Sequence, residues 1–97
     1  SQKKYPLELL EAEGYYTSMI EVKMQQIKSY EGEIDPQIFE DIDALDKALE
    51  ELKEDLDDNI DNEEVIDAMI HNYRIKLEIL ETIQSELDKQ KTEAIEM

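Results

Sequence analysis

The 97-residue sequence has no cysteine and no tryptophan, and it has only two glycines, two prolines and one histidine. Without cysteine it forms neither disulfides nor thiolate metal sites, which fits a reducing compartment or an exported module without disulfides. So few glycines and prolines leave too few turns for a fold of many strands. No apolar run reaches the ~18 residues of a membrane span, and no signal peptide begins the chain. These absences favour one all-helical domain over residues 1–97.

Basic residues are also scarce, since 27 acidic residues face only 10 basic ones and the net charge is −17. Such a chain repels nucleic-acid phosphate and anionic membrane surfaces, so we expect no nucleic acid and no direct membrane contact. The excess is local, because residues 31–69 contain 17 acids but only Lys47 and Lys53 as bases. This segment is either a solvated surface that keeps the protein soluble or a docking face for a basic partner.

Helix-forming residues are what the sequence has in abundance. Its composition, dominated by Glu, Asp, Leu, Ile and Lys, is typical of long helices. Two turn signals divide it into helices over about residues 6–31, 36–57 and 62–91, with a frayed tail over about 92–97.

Each turn carries signals for the start of a helix. At the first turn, Gly32 can end helix one, Asp35 can cap helix two, and Pro36 suits the first helical position. At the second turn, Asp61 and Glu64 have the spacing of a capping box, which places the start of helix three near residue 62. Both helices are therefore predicted to begin sharply.

Apolar residues recur with alternating spacings of four and three, the pattern of a coiled-coil seam. The row of helix two is Ile38, Ile42, Leu45, Leu49, Leu52 and Leu56, and that of helix three is Ile66, Ile70, Tyr73, Leu77, Leu80, Gln84 and Leu87. Met69, Ile79 and Ile83 widen the row of helix three, so a third helix should cover the extra width. Helix one is less regular but is the natural third partner.

These features predict an all-α fold, a three-helix antiparallel (up-down-up) bundle in which helices two and three form a coiled-coil-like helical hairpin. Helix three would extend about 12 Å beyond helix two. That overhang is either frayed or paired with another copy of the chain. We therefore expect a homo-oligomer, most readily a dimer.

No catalytic signature stands out. Solvated carboxylates on a narrow bundle offer no pocket for an acid/base pair, and His71 is the single histidine that could activate a serine. Asp67 and His71 are one helical turn apart and could hold zinc with a ligand from elsewhere, although a surface pair is the commoner role. Residues 55–63 imitate a calcium loop but lack its glycine and its bidentate glutamate. We expect no enzyme, no cofactor and no metal site, with a metal-dependent helical enzyme as the remaining alternative.

Candidate contact residues come from aromatic and acidic positions. Tyr15 and Tyr16 are adjacent and so lie about 100° apart on a helix, where Tyr16 joins the apolar row and Tyr15 faces solvent or a partner. The acidic candidates belong to helix two and the turn after it. They are Asp46, Glu50, Asp57, Asp58 and Asp61.

Three stretches carry a resemblance to a known family. They are Glu-Gly-Tyr-Tyr at 13–16, Leu-Asp at 45–46 and, above all, NEEVIDAMIHNYRIKLEIL at 62–80. They resemble the C-terminal part of bacterial membrane-anchored anti-sigma-factor-like proteins, over about residues 9–87. In that family a cytoplasmic segment and one transmembrane helix precede a helical region outside the membrane. The resemblance implies an extracytoplasmic (periplasmic) location, a membrane anchor upstream of Ser1, no catalytic residue and no direct grip on the sigma factor.

Two functional hypotheses follow. The first is a non-enzymatic protein-interaction or sensor module in signal transduction and transcription regulation, which acts by changing its helix packing or oligomeric state. The alternative is a cytoplasmic acidic helical adaptor or inhibitor whose helix two binds a basic protein surface. An upstream membrane anchor would favour the first hypothesis, and strongly salt-sensitive binding would favour the second.

Overall fold

Three α-helices make up the fold in the computed structural model, which describes residues 5–30 and 33–96. In chain order they are α1 (Leu7–Lys28), α2 (Pro36–Asp58) and α3 (Glu63–Glu96), and no strand occurs in these residues. The molecule is a rod with extents of 60 × 23 × 21 Å. The prediction of an all-helical protein with three helices is confirmed.

Helix α1 is shorter than predicted, because it begins at Leu7 and ends at Lys28 rather than near residue 31. Its last turn tightens, since the backbone N–H of Tyr30 donates to the carbonyl of Ile27 at 3.1 Å. The Ser29 hydroxyl also donates to the carbonyl of Gln26 at 2.7 Å. Side-chain and short-range bonds of this kind satisfy carbonyls that a continuing helix would use. Gly32, the predicted helix-ending glycine, lies outside the described residues.

The starts of α2 and α3 are both capped by side chains. Asp35 Oδ1 accepts from the backbone N–H of Gln37 at 2.9 Å and Pro36 occupies the first helical position, as predicted. In the second turn the cap is Asn62 instead of Asp61. Asn62 Oδ1 accepts from the amides of Glu64 and Val65 at 3.1 and 3.3 Å. The helix starts one residue later than Asp61 would require, because the free amides reached by a cap are those two and three positions beyond it.

Helix α3 continues to Glu96, whereas the sequence predicted an end near Lys91 and a frayed tail over 92–97. No glycine or proline interrupts residues 92–96, and the Thr92 hydroxyl donates to the Asp88 carbonyl one turn earlier at 3.1 Å. The backbone hydrogen bonds of the helix therefore continue past residue 91. Residues 91–95 are all exposed, and Ile95 is 75% exposed, so this last part of α3 projects beyond the other helices.

Helix α3 is central, because α1 and α2 both pack against it while no Cα atom of α1 lies within 8 Å of one in α2. The core has two clusters along α3. The first contains Leu9, Leu56, Ile66 and Met69, and the second contains Ile27, Ile42, Leu80, Ile83 and Leu87. Each cluster takes residues from all three helices, so side chains bridge the gap between the α1 and α2 backbones. Burial of this apolar surface is the main source of stability.

Polar side chains fix α1 on one side of α3. Lys23 Nζ donates to Gln84 Oε1 at 2.7 Å, and Gln84 Nε2 donates to Gln26 Oε1 at 2.7 Å. One α3 residue therefore joins two residues of α1. Hydrogen bonds of this kind need one particular register, which the irregular apolar pattern of α1 would not impose alone.

A buried asparagine lies where α2 and α3 meet. Asn72 is only 5% exposed, and its Nδ2 donates to the backbone carbonyl of Leu45 at 2.8 Å. Its Oδ1 is buried and accepts no hydrogen bond from the described residues. An unsatisfied buried acceptor costs stability, while a single buried amide restricts a helix pair to the register in which its one bond can form.

The two candidate caps of α3 can be told apart by mutation. We expect Asn62→Ala to lower the free energy of unfolding by about 1 kcal/mol, because two amides lose their acceptor. Asp61→Ala should change it by no more than about 0.5 kcal/mol, as for an ordinary surface substitution. Urea unfolding followed by circular dichroism measures both. Equal losses in the two variants would contradict the placement of the cap at Asn62.

Candidate interaction surface

The acidic residues of α2 form an exposed surface around most of the helix. Its apolar row packs on α3, so the carboxylates occupy the remaining positions. Nine of the ten α2 acids are exposed, namely Glu40, Asp41, Asp43, Asp46, Glu50, Glu51, Glu54, Asp55 and Asp58. The only ion pair that joins two described residues connects Asp46 to Lys76 of α3, with 2.8 Å between Oδ1 and Nζ. Most of this charge is therefore not neutralised by neighbouring cations within the described structure.

The predicted acidic contacts do not form one patch. Asp46, Glu50 and Asp57 are spaced by four and seven residues and so share one side of α2, with Asp57 about 16 Å along the axis from Asp46. Asp58 lies about 100° further round the helix. Asp61 lies in the turn, where its backbone N–H donates to Asn59 Oδ1 at 3.4 Å.

Asp57 has a structural partner. The hydroxyl of Tyr5 donates to Asp57 Oδ1 at 2.5 Å, which ties the segment before α1 to the end of α2. The hydrogen bond to a carboxylate, together with burial, raises the pKa of Tyr5. At the other end of α1, Tyr30 donates in the same way to Asp88 of α3, and that bond is the main cause of a raised pKa for Tyr30. A hydrogen bond from a tyrosine to a carboxylate therefore holds each end of α1.

Tyr15 is exposed and lies on a different helix from the acidic candidates of α2. It is 60% exposed on α1, and its ring meets that of Tyr16 edge to face, with 5.1 Å between centroids and an interplanar angle of 81°. Tyr16 is half-buried, and its hydroxyl accepts from Arg74 Nε at 3.4 Å. The expected division between an inward and an outward tyrosine agrees with these positions. The α1 and α2 backbones have no Cα atoms within 8 Å of each other, so Tyr15 and the α2 acids lie on separate helices.

An apolar cleft, which sequence reasoning missed, runs between α2 and α3 and contains no α1 residue. It has a volume of about 420 Å³ and continues into an adjoining hollow of about 350 Å³. Ile34 and Ile38 line one wall, Ile75 and Ile79 line the other, and Ala44 and Leu45 line the adjoining hollow. We expected a third helix to cover Ile79. Instead α1 packs against another side of α3, and Ile79 remains in the wall of the cleft.

Among the described residues, only carboxylates bring charge to this cleft. Its lining within residues 5–30 and 33–96 includes Glu33, Asp41, Glu78 and Glu86, and no Lys, Arg or His. Apolar surface bordered by one sign of charge suits a ligand that combines an apolar stripe with the opposite charge. The sequence signal was Ile75 followed by Ile79 one turn later, both outside the heptad row of α3.

Tyr73 is the buried titratable residue of the α1–α3 side. It is 7% exposed, and its pKa is raised to about 12 by burial first, then by the carboxylate of Glu13 and, to a smaller degree, that of Glu50. A buried phenol near two carboxylates has a strong preference for its neutral form. Its role is structural, since it lies in the packed interior away from the cleft.

Other chemistry finds little support in the geometry. Within residues 5–30 and 33–96 no group of three His, Cys, Asp or Glu side chains could hold a metal ion. Asp67 and His71, the predicted zinc candidates, are both exposed, as are Ser18, Ser29 and Ser85. None of the three described helices has the length and apolar character needed to cross a membrane.

Comparison with known proteins gives no match: no protein family, no curated protein and no solved structure is detectably similar to this chain. The resemblance to anti-sigma-factor-like proteins therefore stays a prediction.

Burial of Tyr73 should make the protein sensitive to alkali. The raised pKa favours the neutral phenol in the folded state, so this stabilisation is complete below pH 10 and is lost as the pH rises through about 12. We expect the free energy of unfolding to fall over this window in the wild type and to fall less in Tyr73→Phe, which cannot ionise. Urea unfolding at several pH values measures the difference. Parallel curves for the two proteins would contradict the assignment.

Proposed function

We propose that the chain is a non-enzymatic protein-interaction module that binds a partner through the acidic side formed by α2 and α3. The observation that supports this most is the set of nine exposed α2 carboxylates, of which only Asp46 is ion-paired to another described residue. A concentrated field of one sign steers an oppositely charged partner and favours its docking. The partner would present a basic surface.

The proposal includes a finer arrangement of the helices, an up-down-up bundle with a coiled-coil-like α2–α3 hairpin. In its support, Leu9 near the start of α1 clusters with Ile66 near the start of α3, and Tyr30 after α1 bonds to Asp88. The bond between Asn72 and Leu45 supports the pairing of α2 with α3. A module of this kind could respond to its partner by repacking α1, whose polar contacts with α3 depend on register.

Its cellular setting is part of the proposal. The resemblance of residues 62–80 supports an extracytoplasmic module of a membrane-anchored regulator of transcription, joined to its anchor upstream of Ser1. The alternative, a cytoplasmic acidic adaptor or inhibitor, is favoured by the charge of α2 alone. The exposed end of α3, which carries Ile95, supports self-association as an additional mode of interaction.

Charge reversal on α2 tests the proposed function. Tagged wild-type protein should capture a protein partner from an extract of its own cells at low salt and release it as salt is raised. The triple variant Asp41→Lys/Glu50→Lys/Glu54→Lys should retain roughly tenfold less partner, because like charges would then meet. Quantitative mass spectrometry measures the captured amount.

The matched control is Glu8→Lys/Glu11→Lys/Glu21→Lys, which makes the same change in net charge with exposed residues of α1. It should retain the partner nearly as well as the wild type. Equal losses in both variants would indicate non-specific attraction by net charge, and capture that does not respond to salt would contradict an electrostatic surface.

A further inference from the structure

The α2–α3 cleft has the length and shape of a binding site for a helix. On α3 its wall runs from Ile75 to Leu87, which at 1.5 Å per residue is about 18 Å, or a little over three helical turns. Ile34 and Ile38 line the opposite wall, and the adjoining hollow extends the cleft along α2 past Asp41 to Leu45. A helix in this position would become the fourth helix of a bundle and would pack apolar residues between α2 and α3.

The charge of the cleft determines which kind of helix can bind in it. Glu33 and Asp41 lie on the α2 side and Glu78 and Glu86 on the α3 side, so carboxylates stand along both edges of an apolar floor. A helix with an apolar stripe flanked on both sides by Lys or Arg would match the floor and both edges. An acidic helix would be repelled by the carboxylates at both edges. A neutral helix would leave those carboxylates without a cationic partner.

The helices of this chain itself do not fit that description. Each is net acidic: α1 has four acids and two lysines, α2 has ten acids and two lysines, and α3 has nine acids and four bases. A second copy would bring further carboxylates to the edges of the cleft, which opposes its docking there.

We propose that the cleft between α2 and α3 binds a basic amphipathic helix of a protein partner. This rests on the proposed function and deepens it, since it names the part of the acidic side that is occupied and the form of the ligand. The apolar walls contribute contact area, and the carboxylates at the edges set the orientation and the selectivity for a cationic helix.

A synthetic peptide is the probe. It carries leucines at heptad spacing with lysines on both flanks, and two control peptides have the same composition in scrambled order or glutamate in place of lysine. We expect the basic amphipathic peptide to bind one protein chain and both controls to bind at least roughly tenfold more weakly, because they lack either the stripe or the charge. Fluorescence anisotropy gives the affinities.

Two variants locate the bound peptide. Ile75→Gln removes an apolar wall residue, and Glu78→Lys/Glu86→Lys reverses two edge charges on exposed positions that do not endanger folding. Each should weaken binding by roughly tenfold, as expected for residues central to an interface. Val22→Gln, at a 50% exposed α1 position away from the cleft, and Glu8→Lys/Glu11→Lys are the matched controls and should bind as the wild type does. Circular dichroism verifies that all variants are folded.

The outcomes separate this inference from the proposed function. If Glu50→Lys/Glu54→Lys, at exposed α2 positions outside the cleft, weakens peptide binding while both cleft variants leave it unchanged, the cleft assignment is overturned and an acidic binding surface survives. Equal binding of the scrambled peptide, or no binding of any peptide, also overturns the cleft, and the capture experiment then decides the proposed function alone. Sedimentation that shows a dimer broken by Ile75→Gln would make a second copy the occupant and overturn the proposal.

Discussion

The wide apolar stripe of α3 is the constraint on which the rest of the structure depends. Both core clusters are built on it, and α1 and α2 contact α3 but have no Cα atoms within 8 Å of each other. A stripe wider than one helix needs two partners before it is buried. The fold is therefore organised around one helix with two flanking helices, and each flanking helix depends for its position on the surface that α3 presents.

Charge determines which side of α2 faces water. Ten of the 23 residues of α2 are acidic, so the helix is stable only with its apolar row against α3 and its carboxylates in water. The tyrosine bonds to Asp57 and Asp88 use two carboxylates to hold the ends of α1. The other exposed carboxylates repel one another, which lowers the stability of the isolated protein and makes a cationic partner favourable.

Much of the fold follows from local rules in the sequence, and the cleft does not. Asp35 and Pro36 start α2 as predicted because a cap involves only neighbouring residues. The cap of α3 differed by one residue, since Asn59, Asp61 and Asn62 all have side chains that can accept from nearby backbone amides. The cleft is open because α1 covers one flank of α3 and not the other. Heptad spacing alone does not predict which flank of a wide apolar stripe a neighbouring helix will cover. Asp57 likewise looked like a free contact, because its bond to Tyr5 spans 52 positions in the sequence.

The choice of flank has a physical reason in the polar residues of the two helices. On the flank that α1 covers, Gln84 bonds to Lys23 and Gln26, and Arg74 donates to Tyr16. The other flank carries Glu78 and Glu86, and α1 is itself net acidic, with four acids and two lysines. Repulsion between like charges disfavours packing of α1 there, and Ile75 and Ile79 stay half-buried in the wall of the cleft. A cationic helix would not meet that repulsion, so the carboxylates that disfavour α1 on this flank would favour the proposed ligand.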